Sequence, residues 1–183
     1  MALSVGAVAL TTARNGWCWP LGLASVLVYA VIFLRARLYS DALLQVVYAV
    51  LEVYGWWHWR RAPQALGRPM PRHLHGRDGW LPPALAVPAA LALGAGMAHY
   101  TDAAVPWLDA ALTAASLVAQ YWMARLYRAN WALWIAVDAI YVGLYWTRGL
   151  PLTAALYGGF IVLAVHGWRR WTAAAAAPAS AGA

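Results

Sequence analysis

The sequence of 183 residues contains no lysine, so all 13 of its basic residues are arginine. A P-loop needs a lysine that reaches the nucleotide phosphates, and Schiff-base chemistry needs a lysine amine. The sequence therefore excludes both. Cysteine is almost as scarce, because Cys18 is the only one. A single cysteine rules out an intrachain disulfide and any metal site built from several cysteines.

Charge is also scarce: 10% of the residues are charged, 64% are hydrophobic, and the mean hydropathy is +0.57. A soluble domain carries about a quarter charged residues, so this composition indicates an integral membrane protein. The net charge of +7 is compatible with nucleic-acid binding. Most arginines, however, lie between apolar segments, so we interpret the charge as membrane topology and expect no nucleic-acid partner.

Long apolar runs predict the helices, since a spanning helix needs about 20 mostly apolar residues. Six segments fit this length, at residues 16–34, 38–59, 81–99, 105–125, 131–146 and 149–168. A seventh segment, 1–13, is short for a full crossing. The predicted fold is an all-α integral membrane protein with seven transmembrane helices.

The arginines predict how these helices are oriented. Ten of them fall on one side of the predicted membrane: Arg14, Arg60, Arg61, Arg68, Arg72, Arg77, Arg125, Arg128, Arg169 and Arg170. The other side receives Arg35, Arg37 and Arg148. Positive residues favour the cytoplasmic side of a membrane. We therefore expect the loop 60–80 and the C-terminus to be cytoplasmic. To the low-complexity tail, 172–183, we assign no function.

A weak internal repeat divides the chain. The pattern N-x-x-x-W occurs at Asn15 and again at Asn130, and G-W-x-x-W occurs at Gly55 and again at Gly167. The spacing from Gly55 to Gly167, which we call the repeat interval, is nearly equal to the spacing of the asparagines. Three helices (1–59), a linking helix (81–104) and three more helices (105–171) give a 3+1+3 arrangement of parallel repeats. Such repeats occur in transporters, including the SWEETs.

Two predicted helices carry polar and aromatic residues at intervals of three or four, which places them on one stripe of a helix. On the third helix the stripe is Gln45, Tyr48, Glu52, Gly55 and Trp59, and on the sixth it is Trp131, Trp134, Asp138, Tyr141 and Tyr145. A charge at the bilayer centre costs about 2.5–3.5 kcal/mol and usually faces the protein interior or a water-filled path. Aromatic faces attract cations. The stripes therefore predict a cavity that suits a flat, positively charged heteroaromatic ligand and disfavours phosphate.

The alternatives for these residues are structural. Glu52 and Asp138 can instead be protonated and hydrogen-bonded between helices, while Gln45 and Gln120 can simply join helices. The tryptophans beside the arginines can be interfacial anchors. No serine has a histidine at a motif spacing, which argues against a hydrolase. The histidines lack the spacing of a metal pair, so we expect no metal and no cofactor.

Four segments resemble the PnuC family of bacterial vitamin transporters: "RNGWCWPLG" (14–22), "LYSDALLQVVYAVLEVYGWWHW" (38–59), "NWALWIAVDAIYVGLY" (130–145) and "HGWRRW" (166–171). The resemblance implies a SWEET-like homotrimer in membrane lipid that carries nicotinamide riboside by facilitated diffusion. A cytoplasmic kinase then traps the substrate. Thiamine and riboflavin are alternative substrates within the family, and a scaffold that does not transport is an alternative outside it.

The stripes and the resemblance together predict two sets of site residues. We expect the substrate to bind at Trp131, Trp134, Asp138, Asn130, Gln45, Tyr48, Glu52, Gln120 and Tyr141. We expect a gate at the cytoplasmic end, formed by Gly55, Trp56, Trp59, Gly167, Trp168 and Trp171. In each half of the gate, glycine would allow close helix contact and tryptophan would anchor it.

Overall fold

The computed structural model describes residues 2–35, 37, 39–65, 67–102 and 104–176. These residues form seven α-helices: α1 (Ala2–Thr12), α2 (Cys18–Arg35), α3 (Tyr39–Arg61), α4 (Arg77–Tyr100), α5 (Pro106–Ala124), α6 (Asn130–Thr147) and α7 (Pro151–Ala176). The predicted all-α chain of seven helices is confirmed. A short antiparallel strand pair, β1 (Gln64–Ala65) and β2 (Arg68–Pro69), lies between α3 and α4 and was not predicted.

Several helix ends differ from the prediction. The region between α3 and α4 is shorter than the predicted loop 60–80, because α3 continues to Arg61 and α4 begins at Arg77. Arginines in the last turn of α3 and Asp78 in the first turn of α4 complement the helix dipoles. The last helix continues to Ala176, well past its predicted end at 168, since alanine is the best helix former.

Three of the described helices are long and apolar enough to cross a membrane by composition: α2, α4 and α7. They expose large apolar side chains, such as Leu27, Leu85 and Val162, which is the favourable arrangement against lipid. Helices α5 and α6 bury polar residues, including Gln120 and Asp138, which lower their hydropathy. The helix α1, with 11 residues, is apolar but short.

The helices pack in two groups of three. In the first group α2 contacts α1 and α3, and in the second group α6 contacts α5 and α7. The groups meet along two seams, α3 against α5 and α1 against α7. The remaining helix, α4, packs on α5 at the outside of the bundle. A site between the two helix groups is therefore positioned by these seams.

The turns within the two groups share an unusual backbone conformation. Arg14 follows α1 with φ 55°, and Leu126, one repeat interval later, follows α5 with φ 63°. Arg37 follows α2 with φ 60°, and Gly149, again one repeat interval later, follows α6 with φ 71°. Left-handed residues commonly end helices, but arginine and leucine adopt this conformation rarely. The two groups therefore reverse direction in the same way.

Candidate functional site

Four tryptophans meet where the two seams converge, and we call them the tryptophan cluster: Trp19, Trp59, Trp131 and Trp171. Each is at most 2% exposed. Trp19 packs edge-on to Trp59 with ring centroids 5.2 Å apart, and Trp131 packs edge-on to Trp171 at 5.5 Å. Trp59 and Trp171 contact each other at 5.8 Å. Edge-to-face packing is favourable for aromatic pairs, so the cluster is a compact plug.

Indole N–H groups tie the two helix groups together. Trp59 Nε1 donates to the Met123 carbonyl across the α3–α5 seam at 3.1 Å. Trp171 Nε1 donates to the Thr11 carbonyl across the α1–α7 seam, also at 3.1 Å. The two donors are one repeat interval apart in the chain, and so are the two acceptors. An equivalent indole-to-carbonyl hydrogen bond therefore crosses each seam.

The glycines of the two G-W-x-x-W motifs make room for the rings of Trp19 and Trp131. A Cβ added to Gly55 would overlap the Trp19 ring, and one added to Gly167 would lie 2.6 Å from the Trp131 ring. Only glycine allows such an approach. Trp19 and Trp131 are again one repeat interval apart. The asparagine pattern matches Trp19 with Trp134. The contacts instead match Trp19 with Trp131, so they follow the spacing of the G-W-x-x-W motifs.

A cavity of about 280 Å³ lies directly against the tryptophan cluster. Its polar and sulfur-bearing lining residues are Ser4, Thr11, Cys18, Ser25, Glu52, Gln120, Met123 and Asp138. Its aromatic lining residues are Trp19, Trp131, Trp134, Tyr157 and Phe160. These residues come from six helices of both groups, α1, α2, α3, α5, α6 and α7. The cavity therefore lies between the two groups, where a relative movement would change its shape.

Five of the nine predicted substrate-binding residues line this cavity: Glu52, Gln120, Trp131, Trp134 and Asp138. They include both carboxylates and the two tryptophans of the sixth-helix stripe. The stripes therefore come together as expected from their helical spacing. Burial distinguishes these residues from surface residues, since Glu52 is 9% and Asp138 5% exposed.

The other four predicted residues lie outside this cavity. Asn130 is fully buried at the start of α6, where Nδ2 donates to the Tyr127 carbonyl at 2.6 Å. Gln45 and Tyr48 are half-buried on α3, and Tyr141 packs against Tyr157 with centroids 4.8 Å apart. Tyr157 lines the cavity, so the ring of Tyr157 lies between Tyr141 and the cavity.

Sequence reasoning missed the α7 residues Tyr157 and Phe160. They follow Gln45 and Tyr48 by one repeat interval, on a stripe that ends in Gly167 and Trp171. Applying the repeat interval to the whole third-helix stripe would have found them. It also missed Ser4, Thr11 and Ser25, because small hydroxyl side chains are a weak polar signal, and among the described lining residues no carboxylate or amide marks the cavity faces of α1 and α2.

Lining positions one repeat interval apart pair a functional side chain with a small or apolar one. The pairs are Glu52 with Ala164, Gln120 with Val8, Asp138 with Val26, and Trp134 with Gly22. The tryptophan cluster is thus the same in both groups, whereas the chemistry of the cavity is not. Gln120, Trp134 and Asp138 have no equivalents on α1 and α2.

The ionisable side chains that line the cavity are mostly acidic. Its described lining contains two carboxylates and no arginine or histidine. Gln120 Nε2 donates to Glu52 Oε1 at 3.1 Å. Within the described part of the chain, no hydrogen bond or ion pair reaches the Asp138 carboxylate. Asp138 is therefore free to offset the charge of a ligand.

The predicted gate residues fall into two sets. Gly55, Trp59, Gly167 and Trp171 belong to the buried plug described above. Trp56 is 38% exposed, and the Arg60 guanidinium lies 5.6 Å from its ring centroid, an arrangement typical of an interfacial anchor. Trp168 packs on the rim of the cluster and is partly buried.

A second polar cluster joins α4 to α5 and was not predicted. The Asp78 carboxylate accepts hydrogen bonds from Tyr121 at 3.1 Å, Arg125 at 2.8 Å and Tyr127 at 2.6 Å. Burial and the hydrogen bond to Asp78 raise the pKa of Tyr127, which therefore stays a donor. Arg125 also donates to Tyr54 on α3 at 3.3 Å. These bonds fix the C-terminal end of α5 to α4.

The described residues include no group of three His, Cys, Asp or Glu side chains placed to hold a metal ion. The chemistry available in the cavity is therefore that of aromatic faces, amides, hydroxyls and carboxylates. Such groups bind and orient a ligand.

Comparison with known proteins finds similarity over most of the chain. The family profile described as "Nicotinamide mononucleotide transporter" matches residues 1–173. The "Nicotinamide riboside transporter PnuC" of Escherichia coli is 26% identical over 92% of this chain and 80% of its own length. The protein of the same name from Neisseria mucosa is 30% identical over 82% of this chain and 62% of its own length.

Two further comparisons bear on substrate and fold. The "Riboflavin/roseoflavin transporter RibM" of Streptomyces davaonensis is 28% identical over 90% of this chain and 78% of its own length. The solved structure titled "Crystal structure of the Vitamin B3 transporter PnuC" superimposes with a TM-score of 0.73 at 26% identity. The match covers 94% of this chain and 78% of that one.

Proposed function

The chain belongs to the nicotinamide mononucleotide transporter family, and on this basis we propose that it imports nicotinamide riboside across the bacterial inner membrane. The observation that carries the proposal is the unpaired Asp138 carboxylate, within the described residues, in a cavity that Trp131 and Trp134 also line. A pyridinium ring is flat and cationic. The tryptophan faces would stack on it, and the carboxylate would offset its charge.

The same cavity argues against a phosphorylated substrate, although the family description names the mononucleotide. A phosphate would meet two carboxylates and no positive side chain among the described lining residues. Like charges within one cavity disfavour binding. The names of the E. coli and N. mucosa relatives, which specify the riboside, support this choice.

Riboflavin suits the charge of this cavity less well than nicotinamide riboside, and thiamine suits it equally well. Riboflavin, the substrate named for the S. davaonensis relative, is neutral and would leave Asp138 buried without a counter-charge. Thiamine is cationic and heteroaromatic, so charge alone does not separate it from nicotinamide riboside. It is therefore a competitor in the test below.

For the mechanism we propose alternating access of two related three-helix groups. Contacts and turn conformations that recur after one repeat interval support parallel repeats of the SWEET type joined by α4. The tryptophan cluster would close the cytoplasmic end, and rocking along the seams α1–α7 and α3–α5 would open it. The movement would bring Gln45, Tyr48, Tyr141 and Asn130 closer to the substrate in other states of the cycle.

Net import would be facilitated diffusion, with a cytoplasmic kinase that phosphorylates the substrate and so traps it. The arginine bias supports a cytoplasmic C-terminus. We further propose a homotrimer, in which the exposed apolar faces of the helices contact lipid and neighbouring subunits.

Uptake into proteoliposomes tests the proposal. Purified protein should take up radiolabelled nicotinamide riboside saturably and without an imposed ion gradient. Unlabelled nicotinamide riboside should compete, whereas nicotinamide mononucleotide and riboflavin should not. The variants Asp138→Asn and Trp134→Ala should lose most of the uptake. Stronger competition by thiamine than by nicotinamide riboside would reassign the substrate. Absence of saturable uptake of any vitamin would leave only a scaffold.

A further inference from the structure

The two carboxylates of the cavity have different surroundings. Asp138, on α6, forms no hydrogen bond or ion pair within the described residues, while Glu52, on α3, accepts the amide of Gln120 from α5 at 3.1 Å. Both are buried and both line the same cavity. A difference in partners of this kind indicates a difference in role.

The Glu52 carboxylate also lies against α2. A Cβ added to Gly22, on α2, would lie 2.6 Å from Oε2 and 2.7 Å from Oε1 of Glu52. The carboxylate thus rests on the bare backbone of Gly22. In the second helix group the position of Gly22 is held by Trp134, one repeat interval later. The Glu52 carboxylate is thus held between α2 and α5.

This confinement fixes the direction of the Gln120 amide. Gln120 Nε2 donates to Glu52 Oε1 at 3.1 Å, so the NH₂ end of the amide faces Glu52. The amide oxygen is then the end left for a ligand. Gln120 lines the cavity, and a carbonyl acceptor suits a ribose hydroxyl. Without Glu52 the amide could rotate and present either end.

We infer that Glu52 is a positioning residue that orients Gln120 toward the ribose hydroxyls, and that Asp138 alone offsets the charge of the substrate. Gly22 contributes by leaving room for the Glu52 carboxylate. This inference rests on the function proposed above and divides that site into a charge-reading part and a hydroxyl-reading part. The division predicts that charge selectivity and overall affinity depend on different acids.

Calorimetry with two ligands separates the roles. Nicotinamide riboside is the cation, and benzamide riboside is a neutral analogue of the same shape. The ratio of their dissociation constants measures charge selectivity. Asp138→Asn should weaken binding of nicotinamide riboside by about 10- to 100-fold, the range for a charged interaction, with little effect on the neutral ligand. Glu52→Gln, which can still accept from Gln120, should leave the ratio unchanged.

A third variant and a control complete the test. Glu52→Leu should weaken binding of both ligands by the same factor, because it frees the Gln120 amide, and Glu52→Gln should restore that loss. Asp102→Asn, which removes an exposed carboxylate after α4, should change neither constant. Collapse of the ratio in Glu52→Gln would overturn the division of roles while the proposed function stands. Failure of the wild-type protein to bind nicotinamide riboside would overturn both.

Discussion

At the scale of single residues, two glycines set the shape of the plug. Gly55 and Gly167 let the rings of Trp19 and Trp131 lie directly on the backbones of α3 and α7. The ring positions in turn align Trp59 and Trp171 for their bonds to the neighbouring group. A side chain as small as a methyl group would displace a ring that is buried on all sides.

Gly167→Ala should therefore destabilise the protein by about 1–3 kcal/mol, the cost of overpacking a close-packed core. The matched control is Gly158→Ala on the same helix, where a Cβ would meet nothing within 4 Å. There alanine should be neutral or stabilising, because it is the better helix former. Thermal unfolding in detergent measures both. Equal melting temperatures for the two variants would contradict the described packing.

The sequence predicted some of the cavity residues and not others for a physical reason. Glu52 and Asp138 stand out because a carboxylate within an apolar helix must face the interior, and helical spacing then groups the residues around it. Asn130 shows the limit of that reasoning. Its amide donates to a neighbouring carbonyl instead of lining the cavity, and the choice between such partners depends on the fold.

At the scale of helices, two indole bonds connect the two helix groups. Trp171 ties α7 to α1, and Trp59 ties α3 to α5, with equal lengths. Each bond crosses a seam, so each must break if the cytoplasmic end opens there. In the proposed transport cycle these bonds would therefore stabilise the closed form.

Trp171→Phe and Trp59→Phe keep an aromatic ring but remove the donor, at a cost of about 1 kcal/mol to the closed form. The open form should become roughly fivefold more populated in each variant. Modification of Cys18 by an impermeant maleimide in inside-out vesicles should accelerate accordingly. Trp57→Phe is the control, since Trp57 is 52% exposed outside the cluster. Unaltered rates in both cluster variants would refute a gate at this position.

One carboxylate, that of Asp78, anchors the first turn of α4. Asp78 accepts three hydrogen bonds from the end of the second group, and Trp122 Nε1 donates to its carbonyl at 2.8 Å. The ion pair with Arg125 is partly exposed, with side-chain exposures of 22% and 29%, so solvent weakens it. The tyrosine bonds supply the rest of the anchor.

Asp78→Asn should loosen the first turn of α4 and lower the free energy of unfolding by about 1–2 kcal/mol. Hydrogen exchange at residues 77–82 measures the local effect, which should exceed that of Asp102→Asn beyond the other end of the helix. Identical exchange in the two variants would show that packing on α5 alone holds α4.

Apolar runs predicted the number and order of the helices but not their ends. A run stops being apolar at its first arginine, whereas α3 continues through Arg60 and Arg61. The start of α4 depends on Asp78 and its tertiary partners, which a hydropathy pattern does not register. The strands β1 and β2 have two residues each, too few for any periodic signal.

At the scale of the whole molecule, the tryptophan cluster is symmetric and the cavity lining is not. The plug uses matched residues one repeat interval apart, while the cavity pairs Asp138 with Val26 and Gln120 with Val8. In the proposed transport cycle the two equivalent groups rock against each other, and neither one is the fixed frame. The single set of functional groups would then give the substrate one orientation, with its ring at the α6 tryptophans.

The reactivity of Cys18 tests the central claim most directly, since this native cysteine lines the cavity and is the only one in the chain. Modification by N-ethylmaleimide can be followed by mass spectrometry with and without ligand. Nicotinamide riboside should slow the modification saturably, in Asp138→Asn only at much higher concentration, and nicotinamide mononucleotide should have no effect. An unchanged rate at concentrations that saturate uptake would place the substrate outside this cavity and contradict the account.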